Sequence, residues 1–336
     1  MKKIVGILAA AAIATSVFAA DVSAKVLLNG DLLNVDGSNV SAASINHNPD
    51  QPWNSVFGLK VSGDNYGAET SFYTTAWDSN KGWRLACNTM KIWFKPVDVL
   101  KFQVGKVDAA TFNETIGYSK MMSYDEWGYQ AEFASNGFTL NVGLHSPNAG
   151  DSWLYTTAGK TKVRGIGAKV GYSADFGNII AYFNFNGSGA SNTNVIDLAA
   201  GYKNKFGDLS LFADAGLKMT LPEAGDAGIG IYGDFDVNYA KDALWAEAYV
   251  LFSMADVKAT RDPFTLKTLA KVSYQLSPCK IYASFEDSNV AATSFAAKFK
   301  FGATGSVGAA SWDVGALIDV ASSTKFSIPV EFKVEF

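Results

Sequence analysis

Few residues of this chain have the types and spacing that catalysis requires. His145 and Ser146 are adjacent and could supply a base and a nucleophile for hydrolysis, but no GxSxG elbow and no acidic partner stand near them. The run AGKT at residues 158–161 lacks the upstream glycine of a phosphate-binding loop, and no cluster has the spacing of metal ligands. The sequence therefore predicts no catalytic residues, no cofactor and no metal site, which is not the pattern of an enzyme.

Charge is the chemistry that the sequence does offer. Lysines and carboxylates recur at alternate positions of extended segments, on the face opposite an apolar row. If these faces line an aqueous space, its candidate lining residues are Asp234, Asp236, Glu247, Lys267, Lys271, Lys280, Lys298, Lys300, Asp313 and Asp319. Their order along the chain predicts a basic wall beside acidic walls, which would set a weak ion selectivity. The alternative is cross-strand pairing that only neutralises charge.

The elements that carry these residues are predicted to be strands, because nearly every ordered segment alternates apolar and polar residues. The alternation predicts about eighteen strands, with sixteen as the alternative. Short turns, such as 63–65 and 135–137, alternate with longer polar connections, such as 36–54 and 108–126. Only one of the eight prolines, Pro329, lies in a predicted strand, and this distribution supports the assignment because proline cannot donate to a ladder.

The stretch 127–144 allows a specific pairing to be predicted. Asn136 and Gly137 fit the centre of a two-residue hairpin turn, where both positions need positive φ. With that turn every apolar residue lies opposite an apolar one, and Glu132 lies opposite Asn141. A slip of one residue would mix the two faces.

The composition of the two faces indicates which one points outward. In a soluble sandwich the rows outside the core would be densely charged, whereas here they mix Gly, Ser, Thr, Asn and balanced charges. The apolar rows carry large aromatics toward their ends, namely Trp77, Trp93, Phe94, Trp127, Tyr129, Tyr172, Tyr239 and Phe336. This pattern is typical of lipid-facing rows with aromatic girdles. We therefore predict an all-β fold, a single antiparallel transmembrane β-barrel with short periplasmic turns and longer extracellular loops.

The two ends of the chain fit this prediction. Lys2 and Lys3 precede an apolar run and a small-x-small cleavage pattern, so residues 1–20 are predicted to be a secretory signal peptide and residues 21–336 the barrel. The alternating last segment ends in Phe336 and resembles the terminal signal that bacterial barrel-assembly machinery reads. We expect that machinery to be a partner and the bacterial outer membrane to be the location.

Residues 90–108, MKIWFKPVDVLKFQVGKVD, resemble a hairpin of spirochaete outer-membrane barrel proteins of the porin-like or major-surface-protein type. The shared pattern is W-x-K-P-x-D-x-L-K-x-x-x-G-K, and its fixed positions here are Trp93, Lys95, Pro96, Asp98, Leu100, Lys101, Gly105 and Lys106. The resemblance covers this one hairpin. It implies an outer-membrane barrel and brings no catalytic residue with it.

Three functions are compatible with such a barrel. About eighteen strands leave an aqueous lumen, so the first expectation is a porin for passive diffusion of small hydrophilic solutes. The others are a substrate-selective channel, for instance for sugars, and a surface adhesin or structural outer-membrane protein. The formal net charge of −4 argues against nucleic-acid binding. Outer-membrane lipid and small solutes are the expected partners, a homo-oligomer is left open, and the connection 108–126 is a candidate for narrowing the pore.

Overall fold

The computed structural model describes residues 21–45, 55–78, 82–108, 125–146, 154–157, 160–187, 193–258, 264–287 and 296–335. In these ranges every element of regular secondary structure is a β-strand. None of the described residues forms a helix long and apolar enough to cross a membrane. The strands are β1 (Asp21–Asp36), β2 (Asn39–Ile45), β3 (Ser55–Ser62), β4 (Tyr66–Asp78), β5 (Gly82–Val97), β6 (Leu100–Asp108), β7 (Asp125–Ser135), β8 (Phe138–Ser146), β9 (Leu154–Thr157), β10 (Lys160–Val163), β11 (Gly165–Ala174), β12 (Gly177–Gly187), β13 (Thr193–Phe206), β14 (Leu209–Pro222), β15 (Gly228–Lys241), β16 (Leu244–Met254), β17 (Thr265–Gln275), β18 (Cys279–Asp287), β19 (Ala297–Val307), β20 (Ala310–Val320) and β21 (Thr324–Glu335).

The main sheet closes on itself, because β21 pairs antiparallel with β1 from Glu335 opposite Lys25 to Lys325 opposite Asp36. β9 and β10 form a separate two-stranded hairpin between β8 and β11. β2 and β3 pair with the two halves of β1 and act together as one interrupted strand. The result is a closed, antiparallel, eighteen-strand barrel, which confirms the predicted fold class and strand number.

The predicted connection 36–54 is partly strand. The chain turns back at Gly37, where φ is +59°, and Asn39–Ile45 forms a ladder with residues 30–36 of β1. The prediction was wrong for these residues because their side chains are mostly small and polar, so their alternation is weak. The rest of that connection, residues 46–54, lies outside the described part of the chain.

The predicted hairpin of β7 and β8 is confirmed. Asn136 and Gly137 have φ values of +50° and +81°, and Glu132 lies opposite Asn141. Tyr129 is 48% exposed, whereas the adjacent Gln130 is 2% exposed. The apolar row thus faces the outside of the barrel and the polar row faces the inside.

Trp93 does not belong to the outer aromatic girdle. It lies opposite Gln103, which is buried on the inner face, and the Nζ atom of Lys101 stands 5.5 Å from its ring centroid. Its neighbour Phe94 is exposed on the outer face and stacks with Phe102 at 5.3 Å. Successive strand residues point to opposite faces, so Trp93 and Phe94 cannot both face lipid.

Pro329 lies inside the sheet, as predicted, and the ladder changes around it. It is opposite Asp31, and the register of β1 shifts between Asp31 and Leu33, leaving Leu32 without a partner in the ladder. A bulge of this kind accommodates a residue that has no N–H to donate.

Candidate pore lining

The inner wall of the barrel is the candidate functional site. From Asn141 to His145 on β8, and from Tyr182 to Asn184 on β12, buried residues alternate with exposed ones. The buried positions carry polar side chains such as Asn141, His145 and Asn184, and the exposed ones carry Val142 and Leu144. Because successive strand residues alternate between faces, the polar positions form continuous rows around the inside.

One arc of this wall is neutral. A single row runs across five neighbouring strands, from β6 to β12, and its members are Gln103, Gln130, Gly143, Gly167 and Asn184. The Gln103 amide donates to Gln130 Oε1 at 2.7 Å, and a hydrogen bond of 2.7 Å joins His145 Nε2 to Asn184 Oδ1. His145 therefore takes part in the hydrogen bonding of the inner wall.

A second arc alternates in charge. One row crosses β18, β19, β20, β21 and β1, and its members in order are Glu286, Lys298, Asp319, Lys325 and Asp36. Lys298 lies 3.9 Å from Asp319, and Lys325 lies 2.8 Å from Asp36. The sequence order alone could not show this alternation, because it depends on which residues of neighbouring strands stand opposite each other.

Lys300 is paired in the same arc. Its Nζ atom lies 3.3 Å from Asp313 Oδ1, and the Tyr282 hydroxyl donates to the same oxygen at 2.7 Å. For Lys298 and Lys300 the geometry therefore favours cross-strand neutralisation over an uninterrupted basic wall.

The other three candidate lysines have different neighbours across the ladder. Lys267 is opposite Leu251, and Lys280 is opposite Thr304. Lys271 is opposite Glu247, but its Nζ atom stands 5.4 Å from the Trp245 ring centroid and 6.0 Å from that of Tyr282. Lys271, Lys280 and Trp245 line a cavity of about 480 Å³ at the short-turn end of the barrel.

A third arc, on β14, β15 and β16, concentrates negative charge. We call it the acidic patch, and it consists of Asp214, Asp234, Asp236 and Glu247. Asp214 and Asp234 are directly opposed across the ladder, and Asp236 lies two residues along β15 from Asp234. Glu247 is opposite Asn238, whose amide donates to Asp236 Oδ2 at 2.6 Å.

Aromatic rings flank the acidic patch. Phe212 and Tyr249 lie on either side of Asp236 in one row, and both are almost completely buried. The Tyr249 hydroxyl donates to Asp234 Oδ2 at 3.3 Å. Asp214 and Phe212 are not among the ten residues that the sequence singles out. Strands β14 and β15 are joined on the long-loop side, where loop length does not fix the register, so no turn signal could place Asp214 opposite Asp234.

Hydrogen bonds to charged side chains also connect the loops at the rim on the long-loop side. The backbone N–H groups of Lys258 and Ile229 donate to the Asp256 carboxylate, which holds the pKa of that carboxyl below its usual range. Lys258 Nζ donates to the carbonyl oxygen of Ala227 at 3.0 Å. These contacts tie the connection after β16 to the connection before β15.

Comparison with known proteins identifies the architecture. No protein-family model matches the sequence, and no curated protein matches it either. Solved structures do match over nearly the full chain. Pseudomonas aeruginosa OccD3 (OpdP) superimposes with a TM-score of 0.58 at 9% identity, covering 95% of this chain and 91% of that one. The fold is that of an outer-membrane porin.

Two further structures agree. A BenF-like porin from Pseudomonas fluorescens Pf-5 gives a TM-score of 0.57 at 8% identity, over 94% of this chain and 99% of that one. Pseudomonas aeruginosa OpdK, solved with vanillate, gives 0.54 at 11% identity, over 94% of this chain and 98% of that one. Identities this low show a shared porin fold and leave the solute of this chain to its own residues.

Proposed function

We propose that this protein is a porin of a bacterial outer membrane, through which small hydrophilic solutes diffuse passively. The observation that carries the proposal is the division of strands such as β7 and β8 into an exposed apolar row and an inward polar row within a closed barrel. Closure leaves no unpaired strand edge in hydrocarbon, and eighteen strands enclose an aqueous lumen.

The ten candidate residues are the proposed lining of that lumen. Their ladder pairs support this assignment, and five of them are lysines and five are carboxylates. An equal number of each sign supports a weak overall ion selectivity. The described residues hold no group of three or more His, Cys, Asp or Glu side chains that could bind a metal ion, and passive passage requires none.

Several finer features belong to the same proposal. The protein is exported by a signal peptide at residues 1–20, and the assembly machinery reads its last strand through Phe336; both lie outside the described residues. Kinship with spirochaete barrels rests on the 90–108 hairpin. The pore-narrowing role of the connection 108–126 falls mostly outside the described residues as well, and the barrel is proposed without a fixed oligomeric state.

A substrate-selective channel is the second candidate. It is favoured by the acidic patch with its flanking rings, since a channel for any small solute needs no such concentration of one charge and of aromatic side chains. An adhesin or structural role would depend on the extracellular connections, many of which lie outside the described ranges.

Single-channel conductance in a planar lipid bilayer tests the proposal. The refolded protein without residues 1–20 is expected to insert and to give stable conductance steps of the size of an open water-filled pore. Protein that inserts, as judged by protection of its strands from protease, and never conducts would overturn the proposal in favour of a structural or adhesive role.

A further inference from the structure

The acidic patch breaks the charge pattern of the rest of the wall. On β18 to β1 every directly opposed charged pair in the alternating row joins unlike charges, whereas Asp214 stands directly opposite Asp234. Like charges in directly opposed positions destabilise a sheet. The barrel wall neutralises charge in one arc and concentrates it in the acidic patch. We therefore expect the acidic patch to have a specific role.

Two carboxylates of the patch keep oxygens without a hydrogen-bond partner. Asp236 is 1% exposed and Glu247 is 6% exposed, and neither Asp236 Oδ1 nor Glu247 Oε1 has a partner among the described residues. No described lysine or arginine nitrogen lies within 4.0 Å of either carboxylate. Buried acceptors left in this state are costly, and they mark a place where a donor from outside the chain would be stabilised.

The lysine best placed to neutralise Glu247 is held elsewhere. Lys271 is directly opposite Glu247, yet its ammonium stands over the Trp245 and Tyr282 rings. Lys271 therefore makes no direct ion pair with Glu247, whose Oε1 atom keeps room for a donor from outside the chain.

The neighbouring rings indicate what kind of cation fits. Phe212 and Tyr249 border Asp236 on both sides, and cations of organic type are attracted by aromatic faces as well as by carboxylates. Hard metal ions prefer a shell made of oxygen ligands alone. The described residues contain no group arranged to hold a metal ion, so the chemistry favours an ammonium or guanidinium group.

We propose that the acidic patch binds the ammonium or guanidinium group of a solute that passes through the lumen. The inference rests on the proposed porin function and deepens it by naming the class of solute. Asp236 and Glu247 supply the unpartnered carboxylate oxygens, Asp214 and Asp234 add negative potential, and Phe212 and Tyr249 border the bound group.

Agmatine, which carries a guanidinium and an ammonium group, is the probe. Its binding to the detergent-folded protein is measured by calorimetry, and its block of single-channel current is measured in the bilayer. The test variant combines Asp236→Asn with Glu247→Gln. The matched control combines Asp313→Asn with Asp319→Asn, which removes the same charge from the same wall at carboxylates that are already ion-paired.

The wild type and the control are expected to bind agmatine alike, and the test variant on the order of thirtyfold more weakly or worse. Equal loss in both variants, or wild-type protein that does not bind millimolar agmatine, would overturn the inference. A channel that conducts without binding agmatine sinks this inference and leaves the porin proposal standing. A barrel that binds agmatine through Asp236 and Glu247 but never conducts supports the binding inference and overturns the porin proposal.

Discussion

Carboxylates of the inner wall have two kinds of surroundings, and the difference can be measured at single residues. Asp313 accepts from both Lys300 and Tyr282. Glu247 has an oxygen without a partner and a neighbouring aspartate two residues along the facing strand. Removing the charge should therefore have opposite effects on stability at the two positions.

Glu247→Gln is expected to raise the free energy of unfolding by about 1–3 kcal/mol, because a neutral amide is cheaper to bury and can donate a hydrogen bond. Asp313→Asn is expected to lower it by about 0.2–1 kcal/mol, because Lys300 loses its counterion at a partly exposed site. Urea titration of detergent-folded protein, followed by tryptophan fluorescence, measures both. A loss of stability in Glu247→Gln would show that this side chain stabilises the fold and is not strained.

The pairing of Lys300 with Asp313 makes a second residue-level prediction. Lys300→Glu should shift the reversal potential toward cations, since it replaces the cation beside Asp313 with a second carboxylate. Exchange of the pair, with Lys300→Asp and Asp313→Lys together, should return the reversal potential to that of the wild type. If the exchanged pair behaved like the single variant, the two side chains would not be coupled.

At the scale of the element, tight turns hold the register of neighbouring strands. Gly137 has a φ of +81°, and a side chain at this position would run into the carbonyl oxygen of Ser173. Gly207 has a φ of +61° in the turn between β13 and β14, and a Cβ there would meet nothing within 4 Å. The two turns therefore share backbone strain and differ in crowding.

Gly137→Ala is expected to lower the midpoint of urea unfolding clearly more than Gly207→Ala, since it adds a collision to a backbone cost of about 1 kcal/mol. The comparison is made on the same detergent-folded preparations. Equal effects would mean that the backbone moves away from Ser173 at no cost.

These turns also explain how much of the structure the sequence could predict. The register of β7 and β8 was predictable in full, because an Asn-Gly turn sets it. The opposition of Asp214 and Asp234 was not predictable, because the connection between β14 and β15 does not set a register. β2 was missed because its small side chains give little amphipathic signal, and Trp93 was misplaced although its adjacency to Phe94 could have corrected it.

At the scale of the whole molecule, the three arcs act together on every ion that crosses. The candidate charges balance in number, yet among the described residues Asp236 and Glu247 keep carboxylate oxygens without a hydrogen-bond partner, whereas Asp313 and Asp319 are ion-paired. The channel should therefore show a weak preference for cations at 0.1 M KCl. At 1 M KCl the preference should vanish, because the screening length falls to about 3 Å.

Reversal potentials across twofold KCl gradients at the two mean concentrations test this prediction. A variant with Asp236→Asn and Glu247→Gln serves as the control and should lose the preference at low salt. A preference for anions at 0.1 M would mean that the separated lysines, and not the acidic patch, dominate the field of the lumen.

The closure between β1 and β21 has a consequence for the order of folding. Lys25 and Glu335 form a ladder pair although 310 positions separate them along the chain. β21 thus completes the cylinder, and until it docks β1 presents an unpaired edge, which invites pairing with other chains. Chains that lack the twelve residues of β21 should therefore aggregate, and a chaperone that covers the edge of β1 should be needed until β21 has paired with it.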